Sequence, residues 1–119
     1  DRSFAISLED IRDTIVPRLA DQQAAAKAKG MARLIKWWRA IARFEPGFHA
    51  AEKREIEAAL GAQFEDYRAA WTAFRTAVAA DTIATAPAII LCNAHEVREA
   101  ALMADAMGGL ANTKFAALA

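Results

Sequence analysis

The stretch Ala24-Ala25-Ala26-Lys27-Ala28-Lys29-Gly30-Met31-Ala32-Arg33-Leu34-Ile35-Lys36-Trp37-Trp38-Arg39-Ala40-Ile41-Ala42-Arg43-Phe44 decides the fold. Ala24, Ala28, Met31, Ile35, Trp38 and Ala42 step by 4, 3, 4, 3 and 4, the rhythm of one face of an α-helix. Beside them Leu34, Trp37, Ile41 and Phe44 form a second seam. The two seams cover about half the circumference, wider than the ~100° stripe of an ordinary surface helix. A helix from about Asp21 to Arg43 is therefore expected at the centre of the fold, touching neighbours on two sides. Gly30 costs up to ~1 kcal/mol against alanine in a helix interior and is read as marking a close helix crossing. Glu45-Pro46-Gly47 is read as the end of the helix, because proline lacks an N–H and glycine permits a reversal.

Upstream, Ser7-Leu8-Glu9-Asp10 has the composition of a helix start, with a hydroxyl for an early N–H and acids for the positive helix end. Leu8, Ile11, Ile15 and Leu19 follow at helical spacing, and Pro17 predicts a kink or a restart. Downstream, a third helix is expected from Ala50 to Leu60, stopping at Gly61. A fourth runs from Gln63 to Ala80, with Phe64, Tyr67, Trp71, Phe74 and Val78 stepping 3, 4, 3 and 4. One bent helix is the alternative for this pair. Asp81 to Ala86 reads as a loop, and Pro87 suits the first turn of a fifth helix. That helix sets Ile90, Ala94, Val97, Ala101 and Ala104 on one face and ends at Gly108-Gly109. No strand-type alternation occurs. The expectation is an all-α fold, an antiparallel up-and-down bundle of four to five helices. A single domain over residues 1–119 is expected, with residues 1–6 and 109–119 frayed.

Composition limits the functions. The chain has 119 residues, 55% of them apolar and many of those alanine, so a few large side chains must carry the core. Lys and Arg balance Asp and Glu at 15 each, so bulk charge favours neither nucleic acid nor a membrane surface and does little to oppose self-association. The single cysteine, Cys92, excludes an internal disulfide framework. No apolar run reaches the ~20 residues of a membrane span, and Asp1-Arg2-Ser3 does not open a secretory leader. These features predict a cytoplasmic protein without a transmembrane segment.

Charge is segregated along the chain. Between Ala24 and Phe44 lie six bases (Lys27, Lys29, Arg33, Lys36, Arg39 and Arg43) and no acid. Glu45 to Asp66 holds six acids against Lys53 and Arg54. All the bases except Lys27 fall opposite Trp38 on a helical wheel. The stripe reads as a solvated face or as a surface for anionic lipid, nucleic acid or phosphate. Tryptophans on the core side favour the solvated face.

Three groupings could carry chemistry. Cys92, His95 and Glu99 share a helix face by their spacing of 3 and 4 and are candidate metal ligands, with His49 as a possible fourth. The same spacing suits a plain exposed polar face, and no metal or other cofactor is expected. Trp37, Trp38, Tyr67, Trp71 and Phe74 could line a pocket for an apolar or acyl ligand whose anionic head is held by Arg39 or Arg43. The alternative for these aromatics is simple core. Leu91, Leu102, Met103 and Met107 lie outside the main stripe of the fifth helix, as contact residues do. There is no phosphate-binding glycine loop, nucleophile elbow or separable carboxylate pair, which weighs against an enzyme and gives no catalytic residue.

Ile15-Val16-Pro17-Arg18-Leu19, the long second helix, and the run from Ala51-Glu52-Lys53-Arg54 to Ala59-Leu60-Gly61 together resemble a family of small, uncharacterised bacterial helical proteins. Genes of that family lie beside those for acyl-CoA dehydrogenases and aminoglycoside-phosphotransferase-like kinases. The resemblance covers Leu8 to Ala80 and implies an accessory role. The sequence as a whole favours a non-enzymatic interaction module that self-associates, as a homodimer or larger oligomer, or docks on a larger protein. A small-ligand binder is the alternative, and binding to nucleic acid or anionic membrane comes third.

Overall fold

The computed structural model describes residues 2–108. Among them the chain is helical, with no strand: α1 (Arg2–Asp10), α2 (Gln22–Leu60), α3 (Tyr67–Ala79) and α4 (Thr85–Met107). No helix among the described residues is long and apolar enough to cross a membrane. The chain divides into two compact units, Asp1–Arg43 with Leu102–Ala119, and Phe44–Ala101.

The first helix starts earlier than expected. Arg2 is already helical and Ser7 lies inside α1, so Ser7 is no cap and residues 2–6 belong to the element. Pro17 acts on the turns before it. Its missing N–H cannot continue the α-helical ladder, and α1 passes into a π-helical turn, Ile11–Ile15, then a 3₁₀ turn, Val16–Arg18. The Val16 N–H reaches back to the Ile11 carbonyl, five residues away. The Arg18 guanidinium takes the Thr14 carbonyl at 2.9 Å. The restart comes at α2, where the Asp21 carboxylate accepts from the Gln23 and Ala24 N–H groups at 3.2 and 3.3 Å.

The largest departure from expectation is that α2 does not stop at Glu45-Pro46-Gly47 but runs unbroken to Leu60. Pro46 withholds the N–H that the Ala42 carbonyl would receive, a local loss that the helix absorbs. The expected third helix is the second half of α2. Its end at Gly61 is as predicted: Gly61 has φ +64°, a left-handed conformation that suits glycine. The fourth expected helix starts later than Gln63, at Tyr67, where Asp66 caps the Ala69 N–H at 2.8 Å. The final helix begins at Thr85 and ends beside Gly108, φ +56°. Gly109 and the rest of the expected frayed end lie outside the described residues.

In the first unit the buried face of α2 is turned partway from the expected one, keeping Ala28 and adding Ala40. Ala28 and Ala40 are buried and Lys36 and Arg39 half-buried, whereas Met31, Leu34 and Trp38 are exposed. Small alanines let another helix approach closely, and long basic side chains can lie along the join with their charged heads in water. A groove of about 610 Å³ is lined by Ala5, Leu8 and Ile11 on one side and Ala32, Lys36 and Arg39 on the other. Among the described residues Gly30 marks no close crossing, since a Cβ there would meet none of them within 4 Å.

In the second unit Ile56, Ala70, Phe74 and Leu91 form the buried core, with Leu60, Phe64, Trp71, Ile83 and Ala88 packed on it. Each large side chain removed from water stabilises the unit by about 1.5–3 kcal/mol. The face of α4 is also turned: Leu91 is buried here and Leu102 is buried in the first unit, while Ile90 and Val97, expected inside, are exposed. His95 and Arg98 share the inward face with Leu91, which displaces the Ile90–Val97 stripe.

Candidate functional site

The second unit contains one buried charged side chain, Glu52, which is 3% exposed. It sits in the second half of α2, one turn before Ile56, and so faces the interior with that residue. A carboxylate there must be bonded to be tolerated. Trp71 on α3 donates its indole N–H to Glu52 Oε2 at 3.0 Å. His95 on α4 places Nδ1 3.0 Å from Glu52 Oε1. The Arg98 guanidinium lies 3.8 Å from the same oxygen and is held by two bonds to Glu55, at 2.5 and 2.8 Å. Three helices therefore meet on one carboxylate.

Aromatic rings line this network. His49 stacks on Tyr67 at 3.7 Å between centroids, and Trp71 meets Tyr67, Phe74 and His95 edge-on. Burial, followed by the Glu52 carboxylate, pushes the Tyr67 phenol up to about 12. The bond from Arg98 holds the Glu55 carboxyl below its ordinary value, and the Phe64 N–H, with Lys53, does the same for Glu57. Outside the network Tyr67, Arg68, Trp71, Arg75 and His95 line an open cleft of about 470 Å³.

The sequence candidates distribute as follows. Tyr67 and Trp71 lie together in the second unit, whereas Trp37 and Trp38 lie in the first, so the expected aromatic interior is divided. Trp38 is on the surface, and among the described residues the buried Trp37 indole N–H has no hydrogen-bond partner. Arg39, offered as the holder of an anionic head, is bound to Asp105 at 2.7 Å, and Arg43 is exposed. Cys92, His95 and Glu99 do not converge. His95 turns inward to Glu52, while Cys92 borders a different depression, beside Val78, Ile89 and Asn93. Among the described residues no three of His, Cys, Asp and Glu form a metal-binding group. Of the expected contact residues Met103 and Met107 are exposed, while Leu91 and Leu102 are buried within their own units.

Sequence reasoning missed Glu52, Arg98, Arg68 and Arg75. The pairing of Glu52 with His95 spans 43 positions and leaves no local mark. The spacing of Arg68, Trp71 and Arg75, 3 and then 4, did place two bases and an indole on one face of α3. Compared with protein-family models, curated proteins and solved structures, the chain has no match.

Proposed function

We propose that this protein is a non-enzymatic helical interaction module that self-associates, its helices forming an antiparallel bundle and its partner being a second copy of the chain. The observation that carries the reading is the uncovered stripe on α2, where Met31, Leu34 and Trp38 are 61%, 45% and 48% exposed at spacings of 3 and 4. Exposed apolar side chains in a row at helical spacing are the form in which a helix meets a groove or another helix. An exposed tryptophan of this kind is a common anchor of such contacts. In the same unit Ile6, Ile15, Met103 and Met107 are exposed as well. The zero formal charge puts no net repulsion between two copies. An accessory role, as the family resemblance implies, agrees with this reading.

Sedimentation velocity over a range of concentrations tests it. The wild type is expected to form dimers that Leu34→Glu and Trp38→Gln return to monomer with unchanged circular dichroism. A wild type that stays monomeric throughout overturns self-association, and recovery only of a different protein on the stripe replaces the second copy with that protein.

A further inference from the structure

The cleft over Glu52 has the groups of an anion site. Arg68 and Arg75 line it, exposed, and among the described residues neither guanidinium has an ion pair or a side-chain hydrogen bond. Arg12, Arg39 and Arg98 are each held by a carboxylate, whereas among the described residues Arg68 and Arg75, like Arg33 and Arg43, are not. His95 lines the same cleft. Its Nδ1 is hydrogen-bonded to the Glu52 carboxyl group at 3.0 Å, which fixes the ring orientation. Among the described residues Nε2 has no partner; as an N–H it can donate to an anion, and as a bare ring nitrogen it can accept from a P–OH group. Tyr67 and Trp71 supply flat apolar walls held by the stack on His49 and by the bond to Glu52. The volume of about 470 Å³ suits a small molecule. Glu99 acts on Tyr67 from nearby and Glu52 lies behind the ring, so the site carries acids as well as bases.

We propose that this cleft binds a small phosphate monoester bearing a flat ring, the phosphate held by Arg68, Arg75 and His95 Nε2 and the ring against Trp71 and Tyr67. Guanidinium groups favour phosphate because their planar forks match its oxygens. A planar substituent favours the indole wall. This site is independent of the self-association reading, which rests on the first unit, and neither result decides the other.

The test is titration with phenyl phosphate, followed by the NMR signals of His95 and the Trp71 indole N–H, with phenol and inorganic phosphate run beside it. Phenyl phosphate is expected to shift both signals saturably and to bind more tightly than either control. Arg68→Ala with Arg75→Ala is expected to weaken it by about tenfold or more, near 1.4 kcal/mol, while Arg18→Ala leaves it unchanged. His95→Gln, which can still bond Glu52, is expected to weaken phosphate binding with the fold intact by circular dichroism. Unmoved His95 signals, or equal loss from Arg18→Ala, overturn the proposal. Sedimentation with phosphatidic acid vesicles, without saturable binding of phenyl phosphate, overturns the small-molecule assignment in favour of a lipid headgroup.

Discussion

Trp71 donates its indole N–H to Glu52 across 3.0 Å, and through that bond α3 is fixed to the second half of α2 by a carboxylate almost out of reach of water. The same carboxylate receives His95 from α4. A polar group that ties three helices is stabilising only while its partners stay in place.

Glu52→Ala is therefore expected to destabilise the protein by about 1–3 kcal/mol, since it leaves Trp71 and His95 without their common acceptor. Glu52→Gln keeps one oxygen for Trp71 and should cost less. Urea denaturation followed by tryptophan fluorescence measures both. A loss below about 1 kcal/mol for Glu52→Ala would show that the network is open to water.

Tyr67 is the only tyrosine in the chain, so its phenol can be titrated by ultraviolet absorbance without interference. In the folded protein it should ionise near 12, against an ordinary value of 10.0. A folded-state value raised in this way favours the protonated form. Its contribution is full below the ordinary value and is lost as pH rises towards the folded one. Glu52→Gln should bring the midpoint down, because the carboxylate is one cause of the rise. A midpoint unchanged by that substitution would leave burial as the whole cause.

Glu55 and Glu57 have the opposite sign. Both are held below the ordinary 4.5, Glu55 chiefly by the Arg98 bond and Glu57 chiefly by the Phe64 N–H. Their stabilisation is complete above that value and fades as pH falls through the lower folded values. Stability measured in urea should decline on the acid side of 4.5, and Glu55→Gln should make that decline shallower. An unaltered acid slope in the variant would remove Glu55 from the account.

Two glycines should respond in opposite directions. Gly30 lies inside α2 with open space where a Cβ would sit. Gly30→Ala should raise stability by about 0.5–1 kcal/mol. Gly61 also has open space but sits at φ +64°, so Gly61→Ala should lower stability by about 1–2 kcal/mol. Thermal melts of the pair decide the matter, and a gain at both positions would contradict the left-handed turn.

The helical class was legible because alanine-rich runs at 3 and 4 spacing admit little else, and the stop at Gly61 was legible because glycine adopts that left-handed backbone at least cost. Which face is buried was legible on α3, where Trp71 and Phe74 pack on the core as their spacing requires, but not on α4 or the first half of α2. Ala40 competes weakly with Met31, Leu34 and Trp38 on any hydropathy count, yet small residues pack where large ones do not fit. Pro46 misled for a related reason. Its local cost is certain, but whether a helix ends there depends on tertiary contacts that a short window does not contain. Of the site, the Arg68–Trp71–Arg75 face was readable from spacing, whereas Glu52 and Arg98 look like ordinary surface charges until α4 is folded against α2.

The partition of the chain has a consequence for the order of folding. Phe44–Ala101 is one continuous segment, whereas the other unit draws on both sides of it, Asp1–Arg43 and Leu102–Ala119. The continuous segment closes only short loops and can gather its core from neighbouring stretches. The discontinuous unit must wait for the chain to return across the whole insertion, a larger loss of chain entropy. Hydrogen exchange should therefore find the slowest amides around Ile56 and Phe74, with Ile11 and Leu102 opening first.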